Sequence, residues 1–255
     1  MGRLNTSKKK SASGHFVLAI DVGNTSIAFG LFEGKKLVRR HRVLTHTFNS
    51  ASLRPLAPYR GKIAESIICS VVPRANSPLE SALKKTLGSP VVLLGRDRKV
   101  PIPNKTHKPK QVGMDRLVNA WAAWQRFKRP CVVVDFGTAT TFDVVNGKGE
   151  YEGGLITPGI QLTLNALAEK TALLPKITLL PVSQVVGKDT ISSIRSGCAY
   201  GLGAMCDGVL KEIDLQTREK HAVIATGGYA VFMTRYSRTL RLTSPDLTLA
   251  GIAAT

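Results

Sequence analysis

"AIDVGNTSIAFGLFEGKKLV", residues 19–38, decides how the chain is read. An apolar run ends in a carboxylate, Asp21; Gly23, Asn24 and Thr25 follow, and a second apolar run opens at Ser26. Apolar runs bounded by turn formers read as buried strands. Residues 16–21 and "SIAFGLF" are therefore two strands, and "LVRRHRV" is a third, reached through a tight turn at Gly34. A glycine after a strand-ending Asp lets the backbone approach a ligand, because it carries no Cβ and tolerates φ > 0. Asn24, Thr25 and Ser26 add amide and hydroxyl donors. Such a turn can hold phosphate oxygens as a backbone anion nest, while the carboxylate can hold a cation or its water shell. A single turn of this kind is equally well explained as turn shaping by Asp and Asn.

The plan occurs twice. "LAIDVGNTSIAFGLFEG" and "VVVDFGTATTFDVVNGKG" both run apolar strand, Asp-x-Gly, Thr, apolar strand and Gly-containing turn, with Asp135 in the place of Asp21. A repeat at this range predicts a duplicated domain whose two Asp-x-Gly turns face one cleft. Neither GxxxxGK[ST] nor a complete GxGxxG is present, so the two commonest nucleotide signatures are missing.

Between the copies, "VGMDRLVNAW" opens an amphipathic helix. Met114, Leu117, Val118, Trp121 and Trp124 fall on one face. Asp115 lies in its first turn, where a helix N-terminus stabilises a carboxylate. It reads either as helix-end chemistry alone or as a base that orients a hydroxyl in phosphoryl transfer. Arg116 reads as a surface residue or as a bidentate ligand for a carboxylate or phosphate. "GGLITPGI" (153–160) is a strand-to-helix connection whose amides could meet an anion. "ATGG" (225–228) ends a strand and reads equally as a tight turn or as glycines against which an adenine or ribose can lie flat. Thr190, in "GKDT", precedes a long helix as a cap neighbour or a ligand contact.

The rest of the chain supplies further strands at 63–72, 90–95 and 221–226, and helices at 77–87 (capped by Ser77), 161–174, 189–213 and 245–254. An irregular Pro- and Lys-rich loop covers 96–112. The 255 residues suffice for a sizeable core, and 43% hydrophobic with 21% charged content is ordinary for a folded protein. No apolar run reaches the roughly 18–20 residues of a bilayer span, and the basic start "MGRLNTSKKKSASGH" lacks the apolar core of a signal peptide. That start reads as a disordered basic arm or an expression remnant. Cys69, Cys131, Cys198 and Cys206 form no CxxC pair; they read as buried free thiols in a reducing, cytoplasmic setting. A formal charge of +19 draws anions, but the basic residues are scattered and no nucleic-acid module accompanies them, so nucleic acid is not the expected partner.

Taken together, "DVGNT", "GMDR", "DFGTATTFDVV", "GGLITPGI", "GKDT" and "ATGG", in this order over residues 16–252, resemble the type III pantothenate kinase family. The resemblance implies an α/β, actin-like (ribonuclease H-like) duplicated fold, two similar halves around a central cleft. Its divisions would be an arm at 1–15, an N-terminal half at 16–112 and a C-terminal half at 113–255. It implies ATP-dependent phosphorylation of pantothenate, the first step towards coenzyme A, in a homodimer. Carried onto this chain, Asp21, Val22, Gly23, Asn24, Thr25, Ser26, Ile27 and Ala28 form the ATP phosphate turn, and Thr138 also faces ATP. Gly113, Met114, Asp115 and Arg116 contact pantothenate, with Asp115 the proton acceptor. Thr190 touches pantothenate from the partner subunit, Asp135 binds potassium or ammonium, and magnesium accompanies ATP. The chain departs from the family pattern at Met114, where a small residue is usual, and before "VGMDR", where the family carries a Tyr and the nearest positional match is Thr106. The alternative is a non-catalytic regulatory or nucleic-acid-associated relative, or a kinase of this fold acting on another hydroxylated acid.

Overall fold

A computed structural model describes residues 15–255; the arm at 1–15 falls, but for its last residue, outside the described residues. The first half begins as a meander, β1 (Phe16–Val22), β2 (Ser26–Glu33) and β3 (Lys36–Leu44). β4 (Ile63–Ser70), α1 (Pro73–Leu87) and β5 (Val91–Leu93) follow, and α2 (Met114–Phe127) leads into the second half. There β6 (Cys131–Phe136), β7 (Ala139–Val145) and β8 (Tyr151–Pro158) form another meander. α3 (Ile160–Lys170), α4 (Thr190–Thr217), β9 (Ala222–Gly227), α5 (Ala230–Met233) and α6 (Leu247–Ala253) complete the chain.

The strand orders are β3-β2-β1-β4-β5 and β8-β7-β6-β9. In each sheet the first strand pairs antiparallel with its hairpin partner and parallel with a later strand, β4 beside β1 and β9 beside β6. The repeat read in the sequence is thus a repeat of topology. Asp21 lies opposite Ala28 and Cys69, and Asp135 opposite Thr141 and Thr226.

Strand parity sorts the core into layers, since alternate side chains face opposite sides. Leu18, Ile20 and Val22 pack outward with Leu79 and Leu83 of α1. Val132, Val134 and Phe136 pack outward with Ile160 of α3 and Cys206 of α4. The intervening positions, Ala19 on β1 and Cys131 and Val133 on β6, join a middle layer with Val118 and Ala120 of α2 and Leu249 and Ile252 of α6. Asp21 and Asp135 share the parity of that middle layer. Two helices between two sheets therefore set both carboxylates facing inward.

Local structure refines the sequence reading at several helix ends and adds short elements. α1 starts at Pro73 rather than at a Ser77 cap, because Pro73 already sits at the first helical position, where its missing N–H costs nothing. Pro78 lies inside the helix. The helix read over 161–174 ends at Lys170, with Thr171 extended. A 3-10 run at Ser50–Tyr59, held at Asn49 by a reciprocal side-chain cap, and the short α5 carry no periodicity long enough to read. Asp189 caps α4, accepting from Ser192 N at 2.8 Å, which leaves Thr190 as its first residue. No described helix is long and apolar enough to cross a membrane, and the four cysteines are free and buried.

Candidate functional site

The inward-facing strand ends enclose a cleft of about 310 Å³. From the first half it takes Asp21, Gly23, Asn24, Thr25, Ser26 and Ala28, and from α2 Asp115, Arg116 and Asn119. The second half supplies Asp135, Gly137, Thr138, Thr141, Thr226, Gly227 and Gly228, while α6 adds Thr248 and Leu249. The first turn is closed by Gly23 N donating to Ser26 O at 3.0 Å and is tied to the chain after β3 by Thr45, whose Oγ1 donates to Gly23 O at 2.6 Å. The turns touch across the cleft, Thr25 Oγ1 lying 3.0 Å from Thr138 Oγ1.

Not every residue singled out in the sequence reaches this space. Val22 and Ile27 have fully buried side chains in the outer core layer. Gly113 precedes α2, and Met114 packs against the middle layer; neither lines the cleft. Thr190 is exposed at the start of α4 and lies away from it. Thr106 donates its hydroxyl to Asn104 Oδ1 at 2.8 Å and is likewise outside.

Asp115 and Asn119 are one helical turn apart on α2 and so share a face. Asp115 Oδ1 accepts from Arg116 N at 2.9 Å. Asn119 Nδ2 donates to Asp135 Oδ2 at 2.9 Å, and its own Oδ1 accepts from Thr248 at 2.7 Å, which orients the amide. Burial, then Asp115 and Asp135, push the Asp21 carboxyl up to about 7. Burial, then Asp115, push Asp135 up to about 6 against the Asn119 hydrogen bond. Burial also raises Asp115. Three carboxylates thus crowd one poorly hydrated space, the condition a bound cation relieves. Thr226 Oγ1 is buried beside Asp135 without a hydrogen-bond partner, so carboxylate and hydroxyl oxygens converge as a hard cation requires. Among the described residues no three His, Cys, Asp or Glu side chains gather into a self-sufficient metal cage, so a cation here shares its coordination with hydroxyls, backbone or ligand oxygens.

These raised values fix a sign. An Asp whose folded value lies above its unfolded value stabilises the fold at low pH, and this stability is lost as pH rises through the folded value. Ligand-free protein is therefore expected to lose stability between about pH 4 and 7 at Asp21 and Asp135. Asp21→Asn, which cannot ionise, should melt about 3–8 °C above wild type at pH 8, with the gap closing by pH 4. Melts of both proteins across that range check it; equal melting at pH 8 removes the assignment of Asp21 as a strained carboxylate.

Two residues that organise the site carry weak sequence signals. Asp143 is fully buried opposite Val133, at an inward position of β7, and accepts from Arg116 Nε at 2.6 Å, Tyr151 OH at 3.0 Å and Thr141 Oγ1 at 3.1 Å. The carboxylate that Arg116 meets is therefore the protein's own. An Asp at inward parity within "TTFDVV" is the signal that marks it. Gly154 leaves room for this pair, since a Cβ there would strike the Phe142 carbonyl and crowd the Arg116 guanidinium.

"GGLITPGI" serves the cleft indirectly. Gly159 caps α3 without lining the cleft, and a Cβ on it would collide with the carbonyls of Gly137 and Thr138. Gly159→Ala is expected to destabilise the protein by about 1–3 kcal/mol through overpacking against those carbonyls. Thermal melts check it; an unchanged melting temperature discards the role.

Two meanders with a parallel strand beside each, packed around a shared cleft, are the actin-like fold. A Listeria monocytogenes protein provisionally described as an N-acetylmannosamine kinase shares it, with TM-score 0.53 at 12% identity over 94% of this chain and 97% of that one. The ethanolamine utilization protein EutJ of Carboxydothermus hydrogenoformans also shares it, with TM-score 0.53 at 14% identity over 93% and 89%. The family profile described as type III pantothenate kinase matches residues 17–212. Curated type III pantothenate kinases of Syntrophotalea carbinolica (38% identical over 245 residues) and Anaeromyxobacter sp. strain K (39% over 250) each align with 92% of this chain and 96% of their own length. The chain belongs to the type III pantothenate kinase family.

Proposed function

We propose that this protein transfers the γ-phosphoryl group of ATP to the primary hydroxyl of pantothenate, giving 4'-phosphopantothenate and ADP at the first step of coenzyme A synthesis. The observation that carries the site assignment is the convergence of Asp21, Asp135 and Asp115 on one cleft from two equivalent strand ends and a helix start. The intact trio also speaks against a non-catalytic regulatory relative.

In this reading the turn at 23–26, with Thr25 and Thr138 facing each other, receives the phosphates, and Gly227 and Gly228 receive the nucleoside. Asp115 accepts the proton of the pantothenate hydroxyl as its oxygen forms the new bond to phosphorus and the bond to the ADP oxygen breaks. Arg116, anchored on Asp143, presents its remaining N–H groups to the pantothenate carboxylate. Asp135, with the orphaned Thr226 hydroxyl, suits potassium or ammonium, and Asp21 suits the hydrated magnesium of the nucleotide. These ions supply charge neutralisation of the phosphate oxygens when bound. Thr190 serves the partner's site in a homodimer. Leu155 and Ile156, exposed on the edge strand β8, offer apolar surface for that contact. A cytoplasmic setting accords with four free thiols.

ADP release with ATP, pantothenate and magnesium tests this, comparing potassium with sodium. Turnover that requires pantothenate and falls in sodium is expected. A folded protein with no pantothenate-dependent release in potassium overturns the reading.

A further inference from the structure

The phosphate turn, "DVGNTSIA", contains no basic residue, yet charge spreads over the oxygens of a phosphoryl group in flight. The cleft holds three cations, Arg40, Arg42 and Arg116. Arg116 is matched by buried Asp143 at 2.6 Å, and Arg40 by Asp246 at 3.1 Å. Among the described residues Arg42 has no carboxylate within ion-pair distance. Its Nε donates to Ser26 Oγ of the turn at 2.8 Å, which leaves both terminal amino groups uncommitted.

The sheet register explains how Arg42 comes to be there. Arg42 pairs with Ala28, and Ala28 with Asp21, so the three stand in one row across β3, β2 and β1 on the cleft face. The middle member is small, which lets the long guanidinium stem cross β2 towards the carboxylate end of β1. The chain after β3 is stapled to the turn by Thr45, whose N and Oγ1 donate to Thr25 O and Gly23 O. The strand that carries the arginine is therefore tied to the phosphate turn at two points. Arg39, on the opposite face, pairs with Leu31 of the outer layer and stays outside the cleft.

We propose that Arg42 is the catalytic cation of this site, its free amino groups meeting the γ-phosphoryl oxygens as the bond to the acceptor hydroxyl oxygen forms and the bond to ADP breaks. It is an arginine supplied from within the chain, where other phosphotransfer enzymes use a lysine of the phosphate loop or an arginine delivered by a partner. The proposal rests on the kinase reading above. It separates from that reading because a contact to the γ-phosphate also shows in nucleotide affinity without any acceptor.

The test compares wild type, Arg42→Gln, Arg42→Lys and Arg39→Gln, by turnover with pantothenate and by calorimetric titration with ATP and with ADP. Arg42→Gln is expected to lower kcat about 100- to 1,000-fold and to abolish the preference for ATP over ADP, with the KM for pantothenate little changed. Arg42→Lys should recover part of the rate, because a single ammonium restores charge without the planar fork. Arg39→Gln, which removes the same charge from the same strand, should stay within about twofold of wild type. Arg42→Gln that matches Arg39→Gln in kcat, or that loses ATP affinity with kcat unchanged, overturns the proposal. If wild type does not phosphorylate pantothenate, the functional reading falls, and the ATP-to-ADP ratio still decides on Arg42.

Discussion

Asp115→Asn is expected to lower kcat by about 10²–10⁴-fold while ATP affinity holds or tightens. The substitution keeps the side chain's shape and its capacity to accept from Arg116 N, so the start of α2 should survive. What disappears is the proposed proton acceptor. The loss should fall on kcat, because the contact matters only as the hydroxyl oxygen attacks. ATP affinity should not suffer, because the variant removes one of three carboxylates from the space that receives a polyanion. The acid limb of the wild-type rate profile should sit above the ordinary carboxylate range, since burial raises Asp115, and it should shift or vanish in the variant. Steady-state rates across pH, with ATP titrated separately, check this. A variant within about tenfold of wild type reduces Asp115 to a helix-end residue.

Asp143→Ala, which removes the buried partner of Arg116, is expected to cost about 3–5 kcal/mol of stability. The Arg116 side chain is 15% exposed and Asp143 0%. Removing the acid leaves a nearly buried guanidinium uncompensated and the Tyr151 hydroxyl without its acceptor. Replacing both charges, as in Asp143→Leu with Arg116→Met, should return most of the stability, because exchanging a buried pair for apolar groups is often neutral. The double variant should nevertheless have a raised KM for pantothenate, since its proposed carboxylate clamp is gone. Denaturant melts of the two single variants and the double variant form the cycle. If Asp143→Ala is no less stable than a surface substitution, the buried pair is not what holds Arg116.

Much of the candidate site was legible because its signals are local. Asp-x-Gly followed by Thr, written twice, marks two turns; inward parity and the first turn of an amphipathic helix then place Asp21, Asp135 and Asp115. Motif matching also swept in neighbours. Val22 and Ile27 alternate into the outer core, and Gly113 and Met114 stand beside the cleft without lining it. Parity counting excludes Val22 and Ile27, whereas the exclusion of Met114 depends on which way α2 rolls between the sheets. Arg42 was hidden among "RRHR", where one position in two faces the cleft and composition alone reads a solvated basic strand.

The amino-acid sequence by itself determined the duplicated strand pattern, the two carboxylate-ending turns, the α2 helix and the family, because each depends on residues a few positions apart or on the order of such pieces. Only the tertiary structure decided which charges are spent and which are free. Arg116 is committed to Asp143, Arg40 to Asp246 and Asn119 to Asp135 and Thr248, while among the described residues Arg42 keeps its amino groups open. Those pairings join elements distant in the chain. They exist because α2 and α6 pack between two sheets whose registers bring particular rows of side chains face to face.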